Sequence, residues 1–122
     1  MPRILVVEDD ELLLHMYDSI FSERGFKVEL ASDGQAALDI LQTDVPDVIL
    51  VDVVMPKVDG LALLKQIKLN DKLKHIPVVI ITSLTDTVIA NTALKAGAAR
   101  FIQKSEHRPQ DVVDIVSSTL KN

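Results

Sequence analysis

Five polar residues stand where chemistry could gather. Glu8 and Asp9 follow the apolar run at residues 4–7, Asp52 follows Val48 to Val51, Thr82 closes Val78 to Ile81, and Lys104 ends Arg100 to Gln103. Taken singly, each has an ordinary explanation. An aspartate after a strand is commonly a turn or cap residue, and a strand-end threonine or a surface lysine needs no function. Four short apolar segments that all end in polar groups are a pattern. Carboxylates brought together without a partner repel, and at least one would hold its proton more tightly. A hard divalent cation resolves this: Mg²⁺ takes oxygen ligands, keeps several waters and is typically held by one or two carboxylates plus a phosphate. Asp9 and Asp52 are then the direct ligands, Glu8 acts through water, and the backbone carbonyl of Val54 offers a further oxygen whatever its side chain. The hydroxyl of Thr82 and the ammonium of Lys104 suit an anion beside the metal. Together they could stabilise a phosphoryl group in transfer, including an aspartyl phosphate.

The elements that would position these groups follow from hydrophobic periodicity. Short apolar strands alternate with amphipathic helices in the order βαβαβαβαβα, without repeats or an internal linker. The first helix is expected over residues 10–24, stopping at Gly25, with Leu13, Met16, Tyr17 and Ile20 as its apolar stripe. Leu12 lies at one margin of that stripe and Leu14 and Phe21 at the other. So broad an arc fits a helix wedged between two neighbours or, alternatively, a partner-docking surface carrying Leu14 and Phe21. Phe26 to Leu30 alternates apolar and charged residues, as an edge strand does. Ser32, Asp33 and Gly34 cap the second helix, the third follows Gly60 with Lys65 and Lys68 outward, Gly97 closes the fourth, and Pro109 suits the first turn of the last. The lysines and histidine of the Asn70 to His75 connection are read as a solvated helix end, against the alternative of a basic patch. Right-handed crossovers make this an α/β fold, a doubly wound five-stranded parallel sheet of flavodoxin-like order 2-1-3-4-5. Its switch point lies between the ends of strands one and three, where Glu8, Asp9 and Asp52 would converge.

With 122 residues, the chain makes a single domain over 1–122. Apolar residues make up 48% and aromatics only 3%, so the core is built from Leu, Ile, Val and Ala. Eighteen acids against thirteen Lys plus Arg give a net charge of −5, which argues against nucleic acid or an anionic membrane as a direct partner of the domain. The absence of cysteine excludes disulfides, a thiol nucleophile and a cysteine-based metal site. The apolar run at the start is too short for a signal peptide or a membrane span, so a soluble cytoplasmic protein is expected.

The whole chain resembles the receiver domain of two-component response regulators. The residues that carry the resemblance are Glu8 and Asp9 after I-L-V-V, Asp52 followed by M-P-x-x-D-G at Met55 to Gly60, Thr82, Lys104, and K-A-G-A at Lys95 to Ala98. The resemblance implies that Asp52 accepts a phosphoryl group, with Mg²⁺, from a phosphohistidine on a sensor histidine kinase or histidine phosphotransfer protein. It further implies that Thr82 moves toward the phosphate and that Phe101 swings inward as a switch aromatic. These movements would alter the face formed by the fourth helix, fifth strand and fifth helix, and so the binding of a downstream target or an attached output domain.

One feature departs from the family's usual pattern, and two variable positions bear on the lifetime of the phosphoryl group. A proline, often after a cis bond, commonly follows the lysine, whereas Ser105 follows Lys104 here; a non-proline cis bond costs about 3–4 kcal/mol, so a trans bond or a rearranged loop is expected. Val54 and Leu84 correspond by spacing to residues flanking the path of the attacking water, and both are apolar. Neither orients a water, which implies slow intrinsic dephosphorylation. Two other classes compete with the signalling switch. A Mg²⁺-dependent phosphatase or phosphotransferase with an aspartyl phosphate typically carries an acid/base aspartate two residues after the nucleophile, where this chain has Val54. A phosphorylation-independent receiver-fold adaptor finds support only in Ser105. Both a free-standing receiver and the N-terminal receiver of a longer regulator fit the chain.

Overall fold

The structure, a computed structural model, describes residues 1–53, 59–83 and 87–120. Its elements are β1 (Arg3–Val7), α1 (Glu11–Glu23), β2 (Lys27–Ala31), α2 (Gly34–Leu41), β3 (Val48–Asp52) and α3 (Gly60–Leu69). They continue with β4 (Val78–Thr82), α4 (Thr87–Lys95), β5 (Arg100–Gln103), a 3₁₀ turn at Lys104–Glu106 and α5 (Pro109–Leu120). All strand pairs are parallel and the order is β2-β1-β3-β4-β5, as expected from the sequence.

Strand alternation divides the core into two layers. Leu5, Val7, Ile49, Val51, Val78 and Ile80 meet residues of α2, α3 and α4 on one face. Ile4, Val6, Val48, Leu50, Val79, Ile81 and Ile102 meet α1 and α5 on the other. Because β3 and β4 are covered on both sides, all of their residues are buried and their sequences run apolar without interruption. Each fully buried aliphatic side chain stabilises the fold by about 1.5–3 kcal/mol relative to exposure. The edge strand β2 is exposed or half-buried except at Ala31, in keeping with its charged alternation.

The helix ends follow their local chemistry. Asp10 accepts from the backbone N–H of Leu12 and Leu13, Asp33 from Ala36, and Asp59 from Ala62, each an N-cap that satisfies donors the helix leaves open. Gly97, at φ 107°, ends α4 in the left-handed conformation that glycine adopts without strain. A Cβ at this position would also sit 3.2 Å from Cε of Lys68.

Two expectations are corrected. Leu14 and Phe21 do not form a docking surface: they are 7% and 0% exposed and, with Tyr17, are the centre of the buried face of α1. The stripe is rotated toward them because α1 packs against both the sheet and α5, while Leu12 is left 83% exposed. Lys68 does not point freely outward. Its ammonium folds back to donate to the carbonyls of Lys74 (3.1 Å) and Ile76 (3.2 Å), fastening the α3–β4 connection.

Candidate functional site

Each site residue is delivered by the carboxyl end of a strand. Glu8 follows β1 directly, and its backbone N–H donates to the carbonyl of Ala31, which fixes the chain just past the strand. Asp52 is the last residue of β3, and its side chain lies on the same sheet face as Val48 and Leu50 by alternation. Gly60 holds the far end of the β3–α3 loop: its N–H donates to the carbonyl of Val53, and a Cβ there would collide with the carbonyl of Asp52 and come within 2.7 Å of Cα of Val53. Only glycine lets α3 start this close to the aspartate.

One oxygen each from Glu8, Asp9 and Asp52 lies within 4.8 Å of the others, so the convergence expected at the switch point is present. Glu8 is 2% exposed and Asp52 6%, whereas Asp9 faces solvent. Nζ of Lys104 bridges the two buried carboxylates, 2.7 Å from Oε1 of Glu8 and 2.9 Å from Oδ2 of Asp52. The Lys104–Ser105 bond is trans; no cis peptide occurs among the described residues. Without a proline, Lys104 to Glu106 continues into the 3₁₀ turn, and the lysine still reaches the aspartate.

Among the described residues, one ammonium meets two buried carboxylates. Burial pushes the Glu8 carboxyl up from 4.5 to about 7; the hydrogen bond from Lys104 opposes the shift and the neighbouring Asp52 adds to it. For Lys104, burial works against the charge, but the hydrogen bonds to Glu8 and Asp52 outweigh it and hold the ammonium above its usual range. Oε2 of Glu8 is buried without a hydrogen-bond partner among the described residues. A buried carboxylate oxygen left so is costly unless something positive meets it.

An open cleft of about 390 Å³ gives access to this cluster, lined by Glu8, Asp9, Asp10, Asp52, Ser83 and Lys104 with Leu13 at its wall. Asp10 and Ser83 were not singled out from sequence as cleft residues. Asp10 is occupied as the N-cap of α1, and only its adjacency to the acidic pair could have pointed to the cleft. By its place in the apolar stripe Tyr17 is likewise expected only in the core. It is 3% exposed, yet its hydroxyl feels the charges of Lys104, Glu8 and Asp52, and burial pushes it up to about 12. Thr82 is fully buried at the end of β4 and pairs in register with Gln103. Phe101 is half-buried beside the layer formed by α2, α3 and α4. Val54 and Leu84 lie outside the described residues.

Fold and site together define an α/β domain that presents a buried aspartate, an acidic pair and a lysine at its topological switch point. The chain belongs to the response regulator receiver domain family, which it matches over residues 4–117. It is 37% identical over 102 residues to the response regulator PleD of Caulobacter vibrioides, covering 84% of this chain and 22% of that protein. It is 30% identical over 118 residues to the polar-differentiation response regulator DivK of Brucella anthropi, covering 96% of each. The solved chemotaxis response regulator CheY4 of Vibrio cholerae superposes with a TM-score of 0.91 at 27% identity, covering 98% of this chain and 99% of that one. The chain is thus a signalling domain of the response-regulator class, and it spans well under two thirds of the length of multidomain relatives such as PleD.

Proposed function

We propose that Asp52 is the phosphoacceptor of a two-component phosphorelay, in one receiver domain spanning residues 1–122. The observation that carries this reading is the Lys104 ammonium, 2.9 Å from the Asp52 carboxylate at the open cleft. An Asp52 oxygen attacks the phosphorus of a phosphohistidine on a sensor kinase or phosphotransfer protein. The new O–P bond replaces the N–P bond, and the released imidazole nitrogen retains the electron pair. Lys104, which pairs with the carboxylate beforehand, is placed to follow the negative charge onto the phosphoryl oxygens, as a preorganised cation does.

Glu8, Asp9 and Asp52 fit a divalent cation because their oxygens converge within 4.8 Å and Oε2 of Glu8 is buried with no hydrogen-bond partner among the described residues. Asp9 and Asp52, with the Val54 carbonyl, would hold Mg²⁺ and Glu8 would orient its water. When bound, the ion neutralises charge on the phosphoryl oxygens. Thr82 and Phe101 are the switch pair in this reading, coupling the phosphoryl group to the face of α4, β5 and α5 and so to a downstream target or attached output domain. A cytoplasmic location goes with a kinase partner, and no helix among the described residues is long and apolar enough to cross a membrane.

Incubation with acetyl phosphate, with and without Mg²⁺, tests the proposal. Wild type should take up hydroxylamine-labile phosphate only with the metal, and Asp52→Asn should take up none. A folded protein that takes up no label would overturn the reading in favour of a phosphorylation-independent adaptor. The apolar Val54 and Leu84 further imply a long-lived label. Replacing them together, Val54→Asn with Leu84→Glu, should speed its loss by about tenfold, short of the roughly 10²–10⁴-fold that a fully positioned acid/base group contributes; an unchanged decay rate refutes this part.

A further inference from the structure

The seam between α2 and α3 opens into two adjoining cavities of about 330 and 390 Å³, which share Leu41, Gln42, Asn70 and Leu73. Together they form a trough that runs to the end of the sheet opposite Asp52, where the chain enters β3 and β4. Leu41 and Leu73 are buried in its floor. At its mouth Val45 is 54% exposed, and Leu69, next in sequence to the trough-lining Asn70, is 84% exposed. Apolar groups left at such a place fit an interaction surface better than an unoccupied one.

Charge points to the kind of partner. The chain as a whole is acidic at −5, yet residues 65–75 carry four lysines against one aspartate. Of the carboxylates nearby, Asp44 pairs with Arg3 at 3.2 Å and Asp71 with Lys74 at 3.3 Å, while Asp39 accepts from the neutral amide of Gln35 and Asp47 from the backbone N–H of Arg3. Lys68 is spent on the carbonyls of Lys74 and Ile76. Lys65 and Lys72 are exposed and make no ion pair among the described residues, and Lys72 lines the trough itself. Among the described residues that line the trough only Lys72 is charged, so the lining is positive around an apolar floor, with the amides of Gln42 and Gln66 along the walls to meet a peptide backbone.

We propose that this trough docks an acidic peptide segment of a partner protein, with one aliphatic or aromatic side chain seated against Leu41 and Leu73 and carboxylates on Lys65 and Lys72. Apolar anchoring supplies the affinity, and the charges supply encounter rate and choice of partner. The surface lies away from the phosphoacceptor, so docking is independent of the chemistry at Asp52.

The test is titration of the ¹⁵N-labelled full chain with a synthetic glutamate-rich peptide carrying a central Leu-Phe pair, and with the same peptide in which lysine replaces each glutamate. Amide shifts should concentrate at residues 41–45 and 66–73 with the acidic peptide alone. Lys65→Glu combined with Lys72→Glu should weaken binding by about tenfold, a size expected for two rim charges reversed against an acidic ligand, and leave labelling of Asp52 unchanged. Shifts elsewhere, no shifts at millimolar peptide, or equal binding of both peptides would overturn the proposal. So would self-association of the chain, or adsorption to phosphatidylglycerol vesicles, that the same double variant abolishes while peptide binding is absent. Thermal melts of the double variant confirm that it is folded, since both lysines are exposed.

Discussion

Lys68 and Lys104 sit at opposite ends of the sheet, and each ammonium holds two oxygens at hydrogen-bond distance. Their electrostatic states differ in sign. Lys68 faces two neutral backbone carbonyls, and burial pulls its proton affinity below the usual lysine range. Lys104 faces two carboxylates and is held above it against the same desolvation. Neutral acceptors satisfy the geometry of a buried ammonium but do not repay the loss of water around its charge, whereas carboxylates do both. The Lys68 end is therefore a fastening. The Lys104 end gathers two buried carboxylates on one ammonium and leaves Oε2 of Glu8 without a hydrogen-bond partner among the described residues, which a cation can use.

The largest effect should come from Lys104→Met. It leaves Glu8 and Asp52 together in a buried site, and loss of one partner of such a cluster costs about 3 kcal/mol. Urea denaturation without metal at pH 8 should show that loss, together with reduced phosphate uptake. At pH 5 the loss should shrink, since Glu8 without Lys104 holds its proton to still higher pH and the repulsion is relieved. An equal loss at both pH values would mean that Lys104 acts by packing, and the contrast with Lys68 would fail.

Glu8→Gln sharpens the same contrast. The folded carboxyl holds its proton to about pH 7 and the unfolded one releases it near 4.5, so folding takes up a proton between these values. The stability this group contributes is full below pH 4.5 and is lost as pH rises through 7, on the order of 3 kcal/mol in total. Wild type should lose that much stability across the window without metal, and Glu8→Gln should not. The comparison of the two proteins by denaturant titration at pH 5 and pH 8 isolates the Glu8 contribution from that of the other acids.

How far these features were legible in the sequence depends on whether one strand end or a three-dimensional neighbourhood decided them. β3 and β4 announced themselves as unbroken apolar runs because both faces are covered, and their parallel order placed Asp52 beside Glu8 and Asp9. Gly60 and Gly97 were visible as helix-end glycines, but the close approach of Gly60 to Asp52 was not. The face of α1 was misjudged at Leu14 and Phe21 because periodicity yields an arc and not its centre; α5, more than eighty residues later, decides which part is covered. Lys68 was misread for a related reason. Its acceptors are carbonyls, which every residue has, so no side-chain pattern marks the place where a lysine turns inward.

The smallest effect should come from Lys68→Met, which tests the fastening end. Methionine keeps a stem of similar length against Gly97, where the lysine chain lies in contact, and removes only the ammonium and its two hydrogen bonds. The lost bonds cost about 1 kcal/mol, offset in part because a poorly compensated charge is no longer buried. Since the folded amine releases its proton below its ordinary 10.5 and the unfolded amine does not, wild type gains stability as pH rises toward that value. Lys68→Met should lose this gain, show no change in stability difference between pH 5 and pH 8, and take up phosphate as wild type does. A pH-dependent loss in the neutral range, or impaired phosphate uptake, would mean that the far end of the sheet is electrostatically coupled to Asp52 and that the two lysines are parts of one device.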